Sequence, residues 1–163
     1  MITGTEFKLL REKCGLTLDD VAEFLGCNVR SVTRWESGKS RISENAQTAL
    51  ERVHALVNAY AAQALKTVEE TIEKNGMPAQ IALVVYDDDD ADMVAWDKKL
   101  PFHTHAACVF RTYELLRGLN IPARIVKMDR YPYYAWQRGT GKKDTSATRS
   151  EWAALQLAKD KAR

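Results

Sequence analysis

Residues 17–38 read Thr-Leu-Asp-Asp-Val-Ala-Glu-Phe-Leu-Gly-Cys-Asn-Val-Arg-Ser-Val-Thr-Arg-Trp-Glu-Ser-Gly, and nearly every position has a role in two short helices joined by a sharp turn. Thr17 with Asp20 three residues on is a capping box, and it opens a helix whose inner face is Val21, Ala22 and Leu25. Gly26 ends that helix where the chain must turn, because glycine takes positive φ without steric cost. Asn28 is a strong N-cap for the second helix, which turns Val32 and Trp35 inward. Ala22 is small where the second helix crosses closest. The spacing predicts that Val29, Arg30, Thr33 and Arg34 face outward. That face has no packing use and suits the reading of base edges in duplex DNA.

The stretch resembles the Cro/repressor-type (XRE) helix-turn-helix family. The small residue and glycine of that family fall on Ala22 and Gly26, and its later core aliphatic on Val32. Its Arg-Trp-Glu-x-Gly-Lys ending appears as Arg34-Trp35-Glu36-Ser37-Gly38-Lys39. Upstream, Phe7, Leu10, Arg11, Gly15 and Leu16 match the first-helix pattern. The resemblance implies a structural ion pair between Arg11 and Glu36. Two positions depart from the pattern. Leu18 stands where the family usually has a phosphate-binding Gln, and Ser40-Arg41-Ile42-Ser43 replaces a turn that commonly carries Pro. The resemblance covers roughly the first 55 residues.

The chain has 163 residues, enough for one domain or two small ones. With 45% hydrophobic and 28% charged residues, it has the make-up of a soluble globular protein. Its longest apolar run, Ile81 to Tyr86, is far short of a membrane span, and the first residues show no signal-peptide pattern. Cys14, Cys27 and Cys108 are odd in number and widely spaced, which points to a reduced, cytoplasmic, disulfide-free protein. The net charge of +2 is unevenly spread. Residues 28–43 hold Arg30, Arg34, Lys39 and Arg41 against Glu36, a net +3. Residues 76–126 are net −2, and residues from 127 onward are net +5. Local charge of this kind, rather than the total, drives phosphate contact.

The expected fold is mainly α with a small α/β part. Residues 1–57 form a helix-turn-helix domain, 58–76 a connecting helix, and 77–163 a small β-α-β dimerisation domain with a basic C-terminal helix. Thr3 and Glu6 make a second capping box for the first helix, and Ser43 N-caps the fourth. Leu50, Val53, Val57, Tyr60, Ala64, Val68 and Ile72 continue an apolar stripe to Asn75-Gly76, so one long helix, broken or not near its middle, leads onward. It packs on its own domain or is shared in a dimer. Residues 80–86 and 123–128 read as strands. Between them, 104–117 read as a helix with Ala107, Phe110, Tyr113, Leu115 and Leu116 inward, closed by Gly118-Leu119-Asn120. A strand, crossover helix and strand give parallel neighbours. Two strands are too few to stand alone, and pairing with the same edge of a second copy is the simplest remedy. This organisation is similar to that of the YdiL-like and anti-CRISPR-associated (Aca) autoregulators, through the acidic stretch before Trp96 and the helix ending Leu116-Arg117-Gly118-Leu119. That resemblance implies autorepression.

Among candidate sites, Arg30 and Arg34 suit bidentate reading of guanine, and Thr33 or Val29 can meet a thymine methyl. Asn28, Lys39, Ser40, Arg41 and Ser43 are placed to meet phosphates, which fixes register without reading sequence. His103, His105 and Cys108 match no zinc-finger spacing and read as packing residues. Asp87 to Asp90 with Asp92 lack the glycine and distal glutamate of a calcium loop. They read as a solvated loop that keeps the domain off DNA or holds a basic partner. Residues 131–136, Tyr-Pro-Tyr-Tyr-Ala-Trp, read as packing against the sheet, as a stacking platform for unpaired bases, or as a small-molecule pocket. Gly139-Thr140-Gly141-Lys142-Lys143 lacks P-loop context and reads as a flexible basic linker before a final helix from about Ser150. No catalytic motif, metal site or cofactor site is expected. These features imply a DNA-binding repressor of a bacterium or its phage, acting as a homodimer on an inverted repeat. The rival readings are an antitoxin that holds a toxin protein, and an RNA-binding regulator.

Overall fold

A computed structural model describes residues 1–93 and 101–161. The chain forms two compact units, and it is mainly helical with one small sheet. The first unit holds Met1–Ala61 together with the described residues 101–108. Its helices are α1 (Gly4–Lys13), α2 (Leu18–Leu25), α3 (Val29–Glu36) and the first part of α4 (Glu44–Asn75). The boundaries follow from side chains. Thr3 Oγ1 accepts from Glu6 N at 3.2 Å while Glu6 Oε2 accepts from Thr3 N at 2.6 Å. Thr17 and Asp20 repeat the arrangement on α2. Gly26, at φ 62°, closes α2 in the left-handed region. Asn28 Oδ1 accepts from Ser31 N at 2.9 Å and opens α3, and Ser43 Oγ accepts from Ala46 N at 3.1 Å to open α4. α4 runs unbroken for 32 residues.

Phe7, Val21, Ala22, Val32, Ile42, Leu50 and Val53 form the centre of this unit, with Trp35 packed edge-on to Phe7 at 5.9 Å between ring centres. Burying this apolar surface supplies the main driving force, near 25 cal/mol per Å². Gly4 sets how closely α1 approaches the end of α3. A Cβ there would lie 2.7 Å from the Glu36 carbonyl oxygen and nearer still to that of Trp35, so only glycine fits this crossing. Residues 101–108 pack with this unit as well. A Cβ on Gly15, at φ +73°, would come within 2.8 Å of the His103 carbonyl oxygen.

The second unit contains the remaining described residues. Strands β1 (Ile81–Val85) and β2 (Ala123–Lys127) are parallel, in register from Ile81↔Ala123 to Val85↔Lys127. A short 3-10 turn, Asp88–Met93, follows β1. The rest of the unit is α5 (Thr104–Gly118) from Val109 onward, α6 (Arg130–Thr140) and α7 (Ser146–Lys161). Both faces of the sheet are covered. Ile81, Leu83 and Ala123 pack with Leu65, Val68 and Ile72 of α4 and Leu116 of α5. Ala82, Val84 and Val126 pack with Tyr133 of α6 and Trp152 and Ala153 of α7. Helices on both faces are what an isolated parallel pair requires.

The structure corrects two local expectations. Phe110, expected inward on α5, is 53% exposed. The buried stripe is instead Thr104, Cys108, Thr112 and Leu116, four residues apart, and its threonines do not register in a count of apolar residues. The aromatic run lies in a helix, and Pro132 falls in the first turn of α6, where no hydrogen bond is lost. The basic linker shrinks accordingly. Gly141, at φ 67°, is the C-cap of α6, and α7 begins at Ser146, with Thr145 Oγ1 accepting from Thr148 N at 3.1 Å.

The second unit is held by a charged network around Asp144. Arg149 grips its carboxylate with Nε and Nη2 at 2.7 and 2.8 Å, and the Tyr133 hydroxyl donates to it at 2.5 Å. The guanidinium holds the Asp144 carboxyl below the usual carboxylate range, with the Tyr133 bond adding to the effect against a smaller opposing burial cost. A depressed folded value contributes stability above the unfolded pKa of about 3.9, and that contribution disappears as pH falls through the folded value. The melting temperature of the chain should therefore fall between pH 5 and pH 3 by more than that of Asp144→Asn, the two curves converging at the acid end. Parallel curves would contradict this role.

Candidate nucleic-acid interface

The face of α3 that leaves the core carries Arg30, Thr33 and Arg34, all exposed. Among the described residues neither the Arg30 nor the Arg34 guanidinium makes a hydrogen bond or ion pair. The contrast with Arg11, Arg130 and Arg149 is sharp, because each of those is paired with a carboxylate. Thr33 Oγ1 donates to the Val29 carbonyl at 3.0 Å, which spends its hydrogen and leaves its methyl for an apolar contact. Val29 does not share this face. It is half-buried and packs against the core of the first unit. The outward assignment narrows to Arg30, Thr33 and Arg34.

The surrounding polar residues have mixed duties. Asn28 is exposed, but its Oδ1 is used as the cap of α3, which leaves its amide NH2 to donate outward. Ser43 is exposed, and its Oγ caps α4 as an acceptor. Lys39 and Arg41 are exposed and Ser40 is half-buried. The backbone N–H groups of Lys39 and Ser40 both donate to the Arg34 carbonyl, at 2.9 and 3.2 Å, so the turn after α3 is fixed by its own backbone. Arg41 Nε also lies 3.2 Å from Met1 Sδ.

Behind the exposed face, Arg11 binds α1 to the end of α3. Its Nε donates to Glu36 Oε1 at 2.6 Å, its Nη2 to Oε2 at 3.3 Å, and its Nη1 to the Leu16 carbonyl at 2.7 Å. The two side chains are only 9% and 10% exposed. A two-pronged, desolvated pair of this kind sets orientation as well as energy.

The other candidate groups are drawn into the structure. His105 is buried, which pushes its ring down to about 4 and keeps it neutral, and the edge of Tyr60 lies against it at 6.4 Å. Burial likewise pushes the Cys14 and Cys108 thiols up to about 11 and about 12. Among the described residues no three His, Cys, Asp or Glu side chains are grouped to hold a metal. The acidic stretch is less solvated than its sequence suggests. Asp90 is buried against Arg130 Nε at 2.7 Å, while Asp92 also meets Arg130 and Asp87 meets Lys127. Lys142 pairs with Glu151. Much of the positive charge of the C-terminal part is thus neutralised within its own unit. Tyr133, the centre of the aromatic run, is fully buried, whereas Tyr131 is 83% exposed. Trp96, on which part of the second resemblance rests, lies outside the described residues.

Sequence reasoning missed one contact within the first unit. His103 Nδ1 lies 3.0 Å from Asp20 Oδ2 in the first turn of α2. Burial raises the Asp20 carboxyl, but the bonds from the Thr17 N–H and hydroxyl and from His103 outweigh it, and the group sits below its usual range. No local pattern could have signalled a contact across 83 residues.

Residues 3–68 match a family model described as a helix-turn-helix domain. No curated protein matches the chain. Among the described residues no helix is long and apolar enough to cross a membrane.

Proposed function

We propose that the protein is a sequence-specific transcriptional repressor, a reading supported by the match of residues 3–68 to a helix-turn-helix domain model. Two copies place their α3 helices in successive major grooves, about 34 Å apart, on an inverted repeat. Repression is steric, by occupation of a promoter, and autorepression of the protein's own operon is the form this reading takes. It involves no catalytic step and no cofactor. The observation that carries it is the pair of exposed guanidinium groups of Arg30 and Arg34, unpartnered among the described residues and one helical turn apart, on a helix whose other face is locked into the core by Val32 and Trp35.

Two further points favour duplex DNA over RNA. A stacking platform needs several exposed rings, and of this run Tyr131 is exposed while Tyr133 is interior and Tyr134 and Trp136 are half-buried. The tail cations Lys127, Arg130, Lys142 and Arg149 already have carboxylate partners. Selection of duplexes by the purified protein from a random pool tests the reading. The expected result is a single enriched inverted repeat with half-site centres one helical turn apart. Enrichment of no sequence, or of a structured RNA in a parallel pool, would overturn it.

A further inference from the structure

The sheet of the second unit leaves backbone groups unpaired along β1. Ile81 N donates to the Pro122 carbonyl and Met128 N to the Val85 carbonyl, both at 2.8 Å, which fixes the phase of the parallel ladder. Ile81, Leu83 and Val85 therefore turn their N–H and C=O groups to β2, and Ala82 and Val84 turn theirs the other way. Among the described residues those outward groups have no hydrogen-bond partner. Ala82 is only 6% exposed, and backbone groups unpaired at that depth cost free energy until something meets them.

The two strands differ in what they offer. β2 carries the exposed Arg124 and Lys127, the kind of charge that blunts an edge. β1 reads Ile-Ala-Leu-Val-Val, without a charge, and an edge of that kind is readily extended by another strand. It is also complementary to itself. With Leu83 on a two-fold axis, antiparallel pairing sets Ala82 opposite Val84 of the partner subunit, and each exchanges N–H and C=O with the other. Leu83 then faces Leu83 of the partner subunit at the close, non-hydrogen-bonded position, where apolar side chains meet. The axis stands perpendicular to the sheet, so the side chains packed on its two faces keep to their own sides in both copies.

We propose that two copies of the chain join through β1, making a four-stranded sheet in the order β2-β1-β1-β2. This rests on the reading of the protein as a homodimer and gives that dimer its contact. A two-stranded sheet is marginal by itself, and the pairing satisfies the outward groups of Ala82 and Val84 in one step.

The test uses the whole chain without DNA, its mass followed by sedimentation through a dilution series. The expected result is a reversible dimer. In it the amide protons of Ala82 and Val84 should exchange at least about tenfold more slowly than after dissociation. Those of Leu83 and Val85, held by β2, should change little. Val84→Pro removes a donor that β2 does not use, a substitution that an edge strand tolerates. It should weaken the dimer about tenfold or more, because a carbonyl of the partner subunit is left unpaired. A monomer throughout the series would overturn the proposal. So would a dimer whose exchange at Ala82 and Val84 does not depend on concentration, or one that Val84→Pro leaves as tight as before. Should Val84→Pro fail to fold, the exchange measurement on the unaltered chain decides by itself. The repressor reading fails separately, when the unaltered dimer selects no duplex.

Discussion

Replacing both Arg30 and Arg34 by alanine is expected to abolish discrimination between the selected repeat and unrelated DNA while leaving the fold intact. Each arginine that reads a guanine edge through two hydrogen bonds is worth about 1–3 kcal/mol of discrimination. In a dimer each substitution acts at both half-sites. Loss of specific affinity should therefore exceed a hundredfold, while binding to random duplexes falls only through the lost charge. The melting temperature should hardly move, because both side chains are exposed and unpartnered among the described residues, and such positions rarely change stability by more than about 0.5 kcal/mol. Titration of single and double variants on specific and scrambled duplexes, with thermal melts alongside, measures both halves. Retained preference for the repeat in the double variant would remove α3 from the role of reader.

Glu36→Ala is expected to act in the opposite way, through the fold. It strips the carboxylate from Arg11 and leaves a guanidinium that is 9% exposed with only the Leu16 carbonyl and a longer contact to Glu12. Removing one member of a desolvated pair costs about 3–5 kcal/mol. That is a large part of the 5–15 kcal/mol that typical domains possess. The first unit should melt well below its normal temperature, and DNA binding should be lost at temperatures where the unaltered protein still binds. The double variant Arg11→Met with Glu36→Leu, which leaves no charge uncompensated, should recover most of the stability. A melting curve for Glu36→Ala that overlays the unaltered one would show that the pair does not hold α1 to α3.

Much of the first unit is legible in the sequence because its instructions are local. Thr17 and Asp20, Asn28, Ser43 and Gly26 each act within a few residues of themselves, so their pattern names the ends of α2, α3 and α4 directly. The parallel strand pair is legible for a similar reason, since a helix between two apolar runs leaves parallel pairing as the natural connection. What escaped depends on distant partners. Val29 looks outward by helical phase, yet it packs in part against the core of the first unit. The need for glycine at position 4 lies in the end of α3, more than thirty residues away. His103 meets Asp20 only because its segment returns to the first unit. In α5 the buried stripe runs through Thr104 and Thr112 as well as Leu116, so counting apolar residues alone wrongly turns Phe110 inward. The acidic stretch reads as solvated until Arg130 and Lys127 are brought to it.

The central claim, that α3 reads base edges from the major groove, is most directly tested by methylation interference at guanine N7. Duplexes carrying the selected repeat are methylated sparsely, and bound and unbound fractions are compared. A methyl group at N7 blocks the acceptor that a guanine-reading arginine needs. The account predicts interference at guanines placed symmetrically in the two half-sites, disappearing for Arg30→Ala and Arg34→Ala. Binding that is indifferent to N7 methylation, or interference that survives the loss of both arginines, would contradict it.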